Sequence, residues 1–478
     1  MSLIRRRKPG RWPLALGVVI AAALLGIVAI MAVARPVVTA VAPEADASGL
    51  STRALVRLAF NQPMNPDSVA AAVSIDPPVA GAWTWDEARQ NAHFLPSAPW
   101  AEHITVTVAL NGGQAANGLP LLERRTWSFG IGGERVLFLY GLDAVIASVE
   151  ADSRLPLDKV EPDILAREPN GILEFDVSPE GGTIVYAAPR ADDGADLKLV
   201  NVDGSEPRLL LACPDESCRR PVFSPDGARV AFERQTVTTD AAGQATFGEP
   251  HVEVLALATG IPLALSAAGG ETRDPNWSTI GQLVVYDPGR QAFVVLDPAL
   301  GSPTYVPALS GQFGDIAPDG RTLVFPEIYA PITTTATIST ETLYASPFSF
   351  FSRLQAVALD TNATVNLSGD QVVEDTAPLY APGGQWLVFA RRGLETGTWT
   401  PGRQLWRMRP DGSEALALTD DPVAYHSAVR WSPDGTRLVY MRTDSSDPSR
   451  APEIWICNAD GSDSHAVVSG GFGPEWLP

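Results

Sequence analysis

Cysteine and histidine are scarce in this chain: its 478 residues include three Cys and five His. Two cysteines, Cys213 and Cys218, lie in "CPDESC", and Cys457 lies alone in "IWICNAD". A structural zinc site takes four ligands, and the sequence offers neither a second cysteine pair nor a His near the first. The histidines form no pair at the spacing of metal ligands. We therefore expect no metal and no other cofactor.

Motifs of known catalytic machinery are also missing. The sequence contains no Gly-x-Ser-x-Gly and no His-Glu-x-x-His, the patterns of serine hydrolases and zinc proteases. Asp-rich turns such as "NADGSD" lack the complete ligand series of a calcium-binding loop. The sequence therefore assigns no catalytic residue and favours a protein that is not an enzyme.

Positive charge is in short supply beyond the N-terminus. The formal net charge is -20, and residues 1–35 hold six basic residues and no acidic one, so the remainder carries 29 - 55 = -26. An acidic body is a poor match for a phosphate backbone, so no nucleic-acid partner is expected. The 41 Gly, the 41 Pro and the 45% of hydrophobic residues are typical of a turn-rich, all-β protein.

The N-terminus predicts a membrane anchor. A basic segment at 1–13 precedes an uncharged run at 14–34, "LALGVVIAAALLGIVAIMAVA". As a helix this run is about 31 Å long, close to the ~30 Å hydrocarbon thickness of a bilayer. The positive-inside rule places residues 1–13 in the cytoplasm and everything after Pro36 outside the cell membrane. The alternative is a signal peptide cleaved after "AVA" at 32–34.

Export would permit a disulfide. We expect Cys213 and Cys218 to be bridged, with two free thiols in a surface loop as the alternative. Cys457 is expected to be a small buried apolar residue.

The segment after the anchor alternates apolar and polar residues with a period of two. In "ALVRLAF" the residues Val56, Leu58 and Phe60 share one face, and "ITVTVAL" and "RTWSFGI" alternate likewise. Such strands predict a small β-sandwich. The succession "FNQPMNPDSV", "GAWTW", "HFLPSAPW", "ITVTV" and "TWSFGI" resembles the bacterial Ig-like domain of the SbsA type over residues 36–131. The resemblance implies a spacer or adhesion module without catalytic residues.

A decapeptide recurs in the rest of the chain. "WSPDGTRLVY" has relatives in "VSPEGGTIVY", "FSPDGARVAF", "IAPDGRTLVF" and "YAPGGQWLVF", with "WSTIGQLVVY" as a weaker copy. Pro, Asp and Gly in this order form a tight turn between two strands. A third strand with its own Asp-Gly turn follows, as in "EIWICNADGSD", and then a fourth. Repeated four-stranded units of this kind predict a β-propeller.

The repeat resembles the WD40-like (PD40) repeat of the TolB type over residues 134–478. The turns begin at Ser178, Ser224, Ser278, Ala317, Ala381 and Ser432. "RVLFLY" at 135–140 reads as the second strand of a blade that lacks its first, and the C-terminal "GPEWLP" reads as a first strand without a second. Closing the ring with the last strand removes exposed edges. We therefore expect seven blades, with six as the alternative.

The long inserts all fall on one face of such a propeller, which we call the loop face. They join second to third strands, at 235–250, 326–352 and 391–403, and uniform turns occupy the opposite face. Variable loops on a rigid scaffold usually carry binding. The insert at 326–352 is the expected partner contact through its aromatic residues, Tyr329, Tyr344, Phe348, Phe350 and Phe351. The alternative is a long hairpin that buries its own aromatic side chains.

First strands line the central channel of a propeller, so their polar residues are candidate ligand contacts. Those next to the strand-end aromatic position are Asp176, Asn276, Asp315, Arg430 and Glu475. Those nearer the loop face are Arg219, Arg220, Arg273, Asp274, Asp375 and His426. The alternative is a wet channel whose charges pair with each other.

Together these features predict a membrane-anchored, extracytoplasmic binding or scaffold protein of the bacterial cell envelope. Its partner is expected to be another envelope protein or a cell-wall polymer. The alternative is a propeller enzyme, a lyase or hydrolase, that acts at the channel mouth.

Overall fold

The structure, a computed structural model, describes residues 35–477 except 48–49, 51, 53, 87, 98, 241–242, 266–269, 298–301, 313, 330–350 and 396. The expected anchor at 14–34 lies outside the described residues. None of the helices in the described part of the chain combines the length and the apolar character needed to cross a bilayer. The boundary between two compact units falls between Gly132 and Gly133.

The first unit is a β-sandwich, as the alternating sequence predicted. Its strands are β1 (Val38–Ala42), β2 (Val56–Phe60), β3 (Val73–Asp76), β4 (Gly81–Trp85), β5 (Asn91–Pro96), β6 (Thr105–Leu110) and β7 (Arg125–Gly130). One sheet has the order β1-β2-β5-β4 and the other has the order β3-β6-β7. Leu58 and Phe94 from the first sheet and Val108 and Phe129 from the second belong to one buried core. The period-two pattern therefore identified the core face of each strand correctly.

A short helix, α1 (Pro66–Ala72), lies between β2 and β3. Asn65 caps it, because its side-chain Oδ1 accepts a hydrogen bond from the Ser68 backbone N–H at 3.1 Å. Pro66 follows at the first helical turn. Asn followed by Pro is a helix-start signal, which the expectation of strands alone overlooked.

The second unit is built from four-stranded antiparallel blades. Its strands up to residue 307 are β8 (Arg135–Tyr140), β9 (Val145–Glu150), β10 (Asp163–Ala166), β11 (Phe175–Val177), β12 (Thr183–Pro189), β13 (Ala195–Asn201), β14 (Arg208–Leu211), β15 (Glu216–Phe223), β16 (Arg229–Thr239), β17 (Ala245–Phe247), β18 (His251–Ala256), β19 (Ile261–Ala264), β20 (Arg273–Trp277), β21 (Leu283–Asp287), β22 (Ala292–Leu296) and β23 (Thr304–Pro307). The later strands are β24 (Asp315–Ile316), β25 (Thr322–Tyr329), β26 (Phe351–Ala358), β27 (Thr364–Asn366), β28 (Val373–Tyr380), β29 (Leu387–Gly393), β30 (Gln404–Met408), β31 (Leu416–Ala417), β32 (Ala424–Trp431), β33 (Arg437–Asp444), β34 (Glu453–Asn458), β35 (His465–Ser469) and β36 (Gly471–Trp476).

Within each blade the strands pair in chain order. Blades of this kind are β11-β12-β13-β14, β20-β21-β22-β23, β24-β25-β26-β27, β28-β29-β30-β31 and β32-β33-β34-β35. In the blade β15-β16-β18-β19, β17 is an additional short strand that extends β16 into a projecting hairpin. A single-turn 3-10 helix (Leu157–Lys159) lies in the link between β9 and β10.

The repeated turns form as the decapeptide predicted. In the last copy the backbone N–H of Gly435 donates to the Ser432 carbonyl at 2.8 Å, and Gly435 has a φ of 72°. The same bond closes the weak third copy, from Gly281 to Ser278 at 3.0 Å, although Pro and Asp are absent there. Both copies keep glycine at the last position, where it accepts positive φ without a steric penalty, and serine at the first, whose Oγ accepts a backbone N–H.

The C-terminal strand pairs with the start of the second unit, as "GPEWLP" predicted. β36 runs antiparallel to β8, with Trp476 opposite Val136, and the resulting sheet has the order β10-β9-β8-β36. Val136 and Phe138 also pack with Val439 and Ile454 of the blade β32-β33-β34-β35. Trp476 is buried, as is Trp431 at the same position one blade earlier.

Candidate functional site

The candidate channel residues nearest the strand-end aromatic position lie on first strands. Asp176, Asn276, Asp315, Arg430 and Glu475 belong to β11, β20, β24, β32 and β36 respectively. Arg430 and Glu475 form an ion pair, with 2.7 Å between Nε and Oε1. Their side chains are 45% and 26% exposed, so water reaches the pair although protein surrounds it.

Four of these five residues form one electrostatic group. The Glu475 carboxylate, followed by those of Asp176 and Asp315, raises the pKa of Arg430. Arg430 therefore stays protonated, while burial raises the pKa of the Glu475 carboxyl against the lowering effect of the Arg430 guanidinium. Asn276 is used locally, because its Oδ1 accepts a hydrogen bond from the backbone N–H of Trp277 at 2.8 Å.

Asp176 and Asp315 connect neighbouring blades. The Asp176 carboxylate accepts a hydrogen bond from the Phe223 N–H at 2.6 Å, and Asp315 accepts one from the Tyr380 N–H at 2.8 Å. In both cases the donor lies in the following blade. Burial raises the pKa of each carboxyl to about 7, and nearby Glu475 acts in the same direction on Asp176. These carboxylates therefore link neighbouring blades, and their raised pKa values lie near neutral pH.

Where the first strand of a blade ends in Trp, the indole also forms a hydrogen bond between neighbouring blades. The indole Nε1 atoms of Trp277, Trp431 and Trp476 donate to the carbonyls of Val222, Leu379 and Arg430 in the preceding blade, at 3.2–3.3 Å. Phe223 and Tyr380 occupy the same strand-end position and have no indole N–H. At these two positions the contact between blades is instead the hydrogen bond from the backbone N–H to Asp176 or Asp315. The aromatic position that ends the repeat's first strand is thus a blade-to-blade contact, a role that the sequence pattern alone did not reveal.

Several first strands carry a β-bulge two residues before the channel position. The bulge residues have positive φ, between 48° and 61°, and are Arg220, Asp274, Ala377, Ala428 and Gly473. Each coincides with a shift in strand register. A bulge redirects the side chains on either side of it. Proline follows at four of the five positions, which is a signal that the sequence offered and that was not used.

The candidate arginines near the loop face are paired with acidic or aromatic side chains. Arg219 donates to Glu174 at 2.8 Å, and Arg220 pairs with Asp274 in the next blade. Arg273 lies over the Tyr286 ring at 5.3 Å. These arginine side chains remain 38–49% exposed. Most of their charge is therefore compensated within the protein, while a partner can still reach them.

Two of the predicted channel residues, Asp375 and His426, are buried, and a ligand contact through them stays a prediction. Asp375 is fully buried and binds Arg391 through two hydrogen bonds of 2.6 Å. The His426 side chain is also buried, its Nδ1 lies 2.8 Å from the Arg403 carbonyl, and burial lowers its pKa. Both lie near the start of their first strand, where Asp375 contacts Arg391 of β29 and His426 contacts the Tyr440 ring of β33.

The aromatic insert is described only at its base. β25 and β26 extend into the predicted insert, which was placed at 326–352. The last described pair of residues between them is Tyr329 and Phe351. Their rings stack at 5.7 Å, with the Arg353 guanidinium over both. Tyr344, Phe348 and Phe350 lie outside the described residues. The described base is consistent with a long hairpin, and a partner contact there stays a prediction.

Cys213 and Cys218 are joined by a disulfide. Cys457 is buried, and burial raises the pKa of its thiol to about 12. Within the described part of the chain, no three His, Cys, Asp or Glu side chains are placed to hold a metal ion.

The sequence of the first unit matches a known family over residues 32–130. This segment is a bacterial Ig-like domain. The match confirms the resemblance to a bacterial Ig-like domain that the strand sequences indicated. No curated protein sequence matches the chain.

The chain is similar to solved structures of several β-propeller proteins. TolB from Acinetobacter baumannii is 12% identical, with a TM-score of 0.43 over 87% of this chain and 88% of that one. The propeller domain of the Trilobed protease from Pyrococcus furiosus is 12% identical, with a TM-score of 0.44 over 63% and 85%. An oligogalacturonate lyase from Vibrio parahaemolyticus is 12% identical, with a TM-score of 0.32 over 70% and 72%. Similarity at these levels concerns the fold alone.

The channel carboxylates predict how stability depends on pH. Because the pKa of Asp176 is raised in the folded protein, folding is favoured at low pH and loses stability as pH rises from about 4 to about 7. Asp176→Asn keeps an acceptor for the Phe223 N–H but cannot ionise. We expect this variant to be more stable than the parent at pH 8, by on the order of 2 kcal/mol, since one pKa unit corresponds to about 1.4 kcal/mol and channel water weakens the effect.

Urea unfolding at pH 5 and pH 8 measures this difference. The matched control is Asp226→Asn, because hydrogen bonds from Ser224 and Ala228 lower the pKa of that carboxyl. This control should be less stable than the parent at pH 8. An Asp176→Asn variant that is destabilised at pH 8 would contradict the raised pKa.

Proposed function

We propose that this protein is a membrane-anchored scaffold of the bacterial cell envelope whose loop face binds an extracytoplasmic partner, either an envelope protein or a cell-wall polymer. Residues 14–34 would form the anchor, and the Ig-like domain would act as the spacer. The blades would close into one ring of seven. The pairing of β36 with β8 supports this count, because it completes the blade that "RVLFLY" begins.

The observation that carries the proposal is the set of exposed apolar side chains in the loop-face links. Links from second to third strands and links between blades leave the same end of an antiparallel blade. Large apolar side chains exposed at this end are Leu142, Phe247, Leu309, Val372, Trp399 and Val423. Apolar side chains exposed on loops of a rigid scaffold are candidates for contact with a macromolecule.

The arginines beneath these loops support the same proposal. The Nε atoms of Arg219, Arg273 and Arg403 are buried and have no hydrogen-bond partner among the described residues. Buried polar atoms are nearly always satisfied in native structures. The side chains of Arg219 and Arg273 are 38% and 42% exposed, so a polar group of the partner could reach the accessible part of each guanidinium.

An enzyme remains the second candidate, because Asp176 and Asp315 have pKa values raised to about 7. Such values suit a general acid or base at neutral pH. Both carboxylates are, however, engaged by backbone N–H groups of the next blade. Turnover that Asp176→Asn abolishes while leaving the fold intact would favour the enzyme.

The scaffold is tested by capture from an envelope extract with the full chain as bait. We expect a partner to be retained by the parent protein and to be reduced at least about tenfold by Trp399→Ser combined with Phe247→Ser, since interface aromatics often contribute more than 2 kcal/mol each. The matched control is Leu155→Ser, which removes an exposed apolar residue from the opposite face. Equal capture by all three proteins would refute a loop-face partner site.

A further inference from the structure

A pocket of about 270 Å³ lies at the turn end of the second unit, opposite the loop face. It is formed by the blade β20-β21-β22-β23 and the next blade along the chain. Side chains that line it include Ile280, Gln282, Asp297, Asp319, Arg321 and Asp360. Nothing in the proposed function uses this pocket.

The pocket occurs where the repeat departs from its pattern. Ile280 occupies the turn position that Asp226, Asp319 and Asp434 hold in other copies. In those copies the Asp is used within its own turn, as where Asp434 accepts hydrogen bonds from Ser432 Oγ at 2.6 Å and the Thr436 N–H at 3.0 Å. Ile280 makes no such bond and stands exposed at the rim. This turn therefore places an apolar side chain at the pocket, whereas the corresponding turns have an Asp that is hydrogen-bonded within the turn.

Gln282 provides an unsatisfied acceptor at the pocket wall. The residue is 6% exposed, and its Nε2 donates to Asp297 at 3.0 Å. Its Oε1 has no hydrogen-bond partner among the described residues. This oxygen lies 3.0 Å from the place that a Cβ on Gly320 would occupy, and the end of the Ile280 side chain lies 2.1 Å from the same place. Leaving an acceptor buried and unpaired is costly, and rotation of Ile280 would open it to a donor in the pocket.

The charges around this acceptor select the ligand. Three carboxylates, those of Asp297, Asp319 and Asp360, line the pocket together with one guanidinium, that of Arg321. This balance favours a cation that can donate hydrogen bonds. We propose that the pocket binds a small organic ammonium ion, a primary amine with an apolar body. Its N–H groups would reach Gln282 Oε1 and the carboxylates, while its carbon chain would pack against Ile280.

Isothermal titration of the full chain with n-butylammonium tests the site. We expect one site of roughly millimolar affinity, because small ligands rarely exceed about 1.5 kcal/mol per heavy atom and the pocket is open to water. n-Butanol has the same carbon chain without the positive charge, and butyrate has a carboxylate at the end of a propyl chain. Both should bind at least about tenfold more weakly. Equal binding of n-butanol, or no binding of n-butylammonium, would overturn the proposal.

Variants locate the binding within the protein. Gln282→Met removes the acceptor while keeping the volume, and Asp360→Asn removes an exposed carboxylate at the rim; each should weaken n-butylammonium at least about threefold. The matched control is Asp434→Asn, at the same turn position as Asp319 in a different blade, and it should bind like the parent. A melting curve identifies a Gln282→Met variant that has not folded, in which case Asp360→Asn decides. Unchanged affinity in the folded variants would show that the amine binds elsewhere and would refute the site.

Discussion

Deletion of residues 472–478 is expected to lower the melting temperature of the full chain sharply and to cause aggregation. This deletion removes nearly all of β36, and with it the Trp476 side chain, its bond to the Arg430 carbonyl at 3.3 Å and the ion pair between Arg430 and Glu475. Loss of one buried aromatic side chain alone costs about 3–5 kcal/mol. That is a large share of the roughly 5–15 kcal/mol that stabilises a typical domain.

The loss should be cooperative because β36 joins the two ends of the second unit. Without it, the edge of β8 is exposed, and free strand edges promote aggregation. We expect the melting transition to fall by at least roughly 5 °C, since 1 kcal/mol corresponds to about 2–4 °C in domains of moderate size.

Differential scanning calorimetry and light scattering measure both effects. Deletion of residue 478 alone is the control and should leave both unchanged. Trp476→Phe should lie between the two, because it keeps an aromatic ring but loses the indole donor, at a cost of about 1 kcal/mol. A truncated protein that melts like the parent and stays monomeric would contradict ring closure by β36.

Asp375→Ala is expected to be the most destabilising single substitution considered for the second unit, at about 3–5 kcal/mol. The Asp375 side chain is fully buried and Arg391 is 6% exposed. Besides its two bonds to Arg391, Asp375 accepts a hydrogen bond from Ser368 Oγ at 2.5 Å. Arg391 lies over the rings of Phe389 and Trp406 at 5.0 Å and 5.2 Å. Removing the carboxylate would leave this buried guanidinium charged and without its counter-ion.

Urea unfolding of two further variants separates burial from charge. Asp463→Ala breaks the ion pair with Arg154, whose side chains are 50% and 57% exposed, and should cost at most about 1 kcal/mol. Asp375→Ala combined with Arg391→Met should be more stable than Asp375→Ala, because no unpaired charge remains. If Asp375→Ala costs no more than Asp463→Ala, the pair does not stabilise the fold as the geometry indicates.

The sequence by itself determined the features that depend on a few adjacent residues. Turns at positions such as Ser432 to Gly435 follow from the backbone preferences of Pro and Gly, and the core faces of the Ig-like strands follow from the alternation of residues such as Leu58 and Phe60. Closure by the C-terminal strand was also predictable, because an incomplete blade at one end of the chain required a strand that the other end could supply. Each of these inferences needed only local chemistry and the repeat.

Only the tertiary structure decided what the polar residues of the first strands do. Asp176 and Asp375 are both aspartates on predicted first strands. Asp176 accepts a hydrogen bond from the N–H of Phe223, 47 residues away, whereas Asp375 is buried in an ion pair with Arg391. Their roles depend on which side chains adjacent strands and blades bring to them, and the strand pattern does not specify those partners. The bulges add a further reason, because a shift of one residue in register turns a side chain from the channel toward the core.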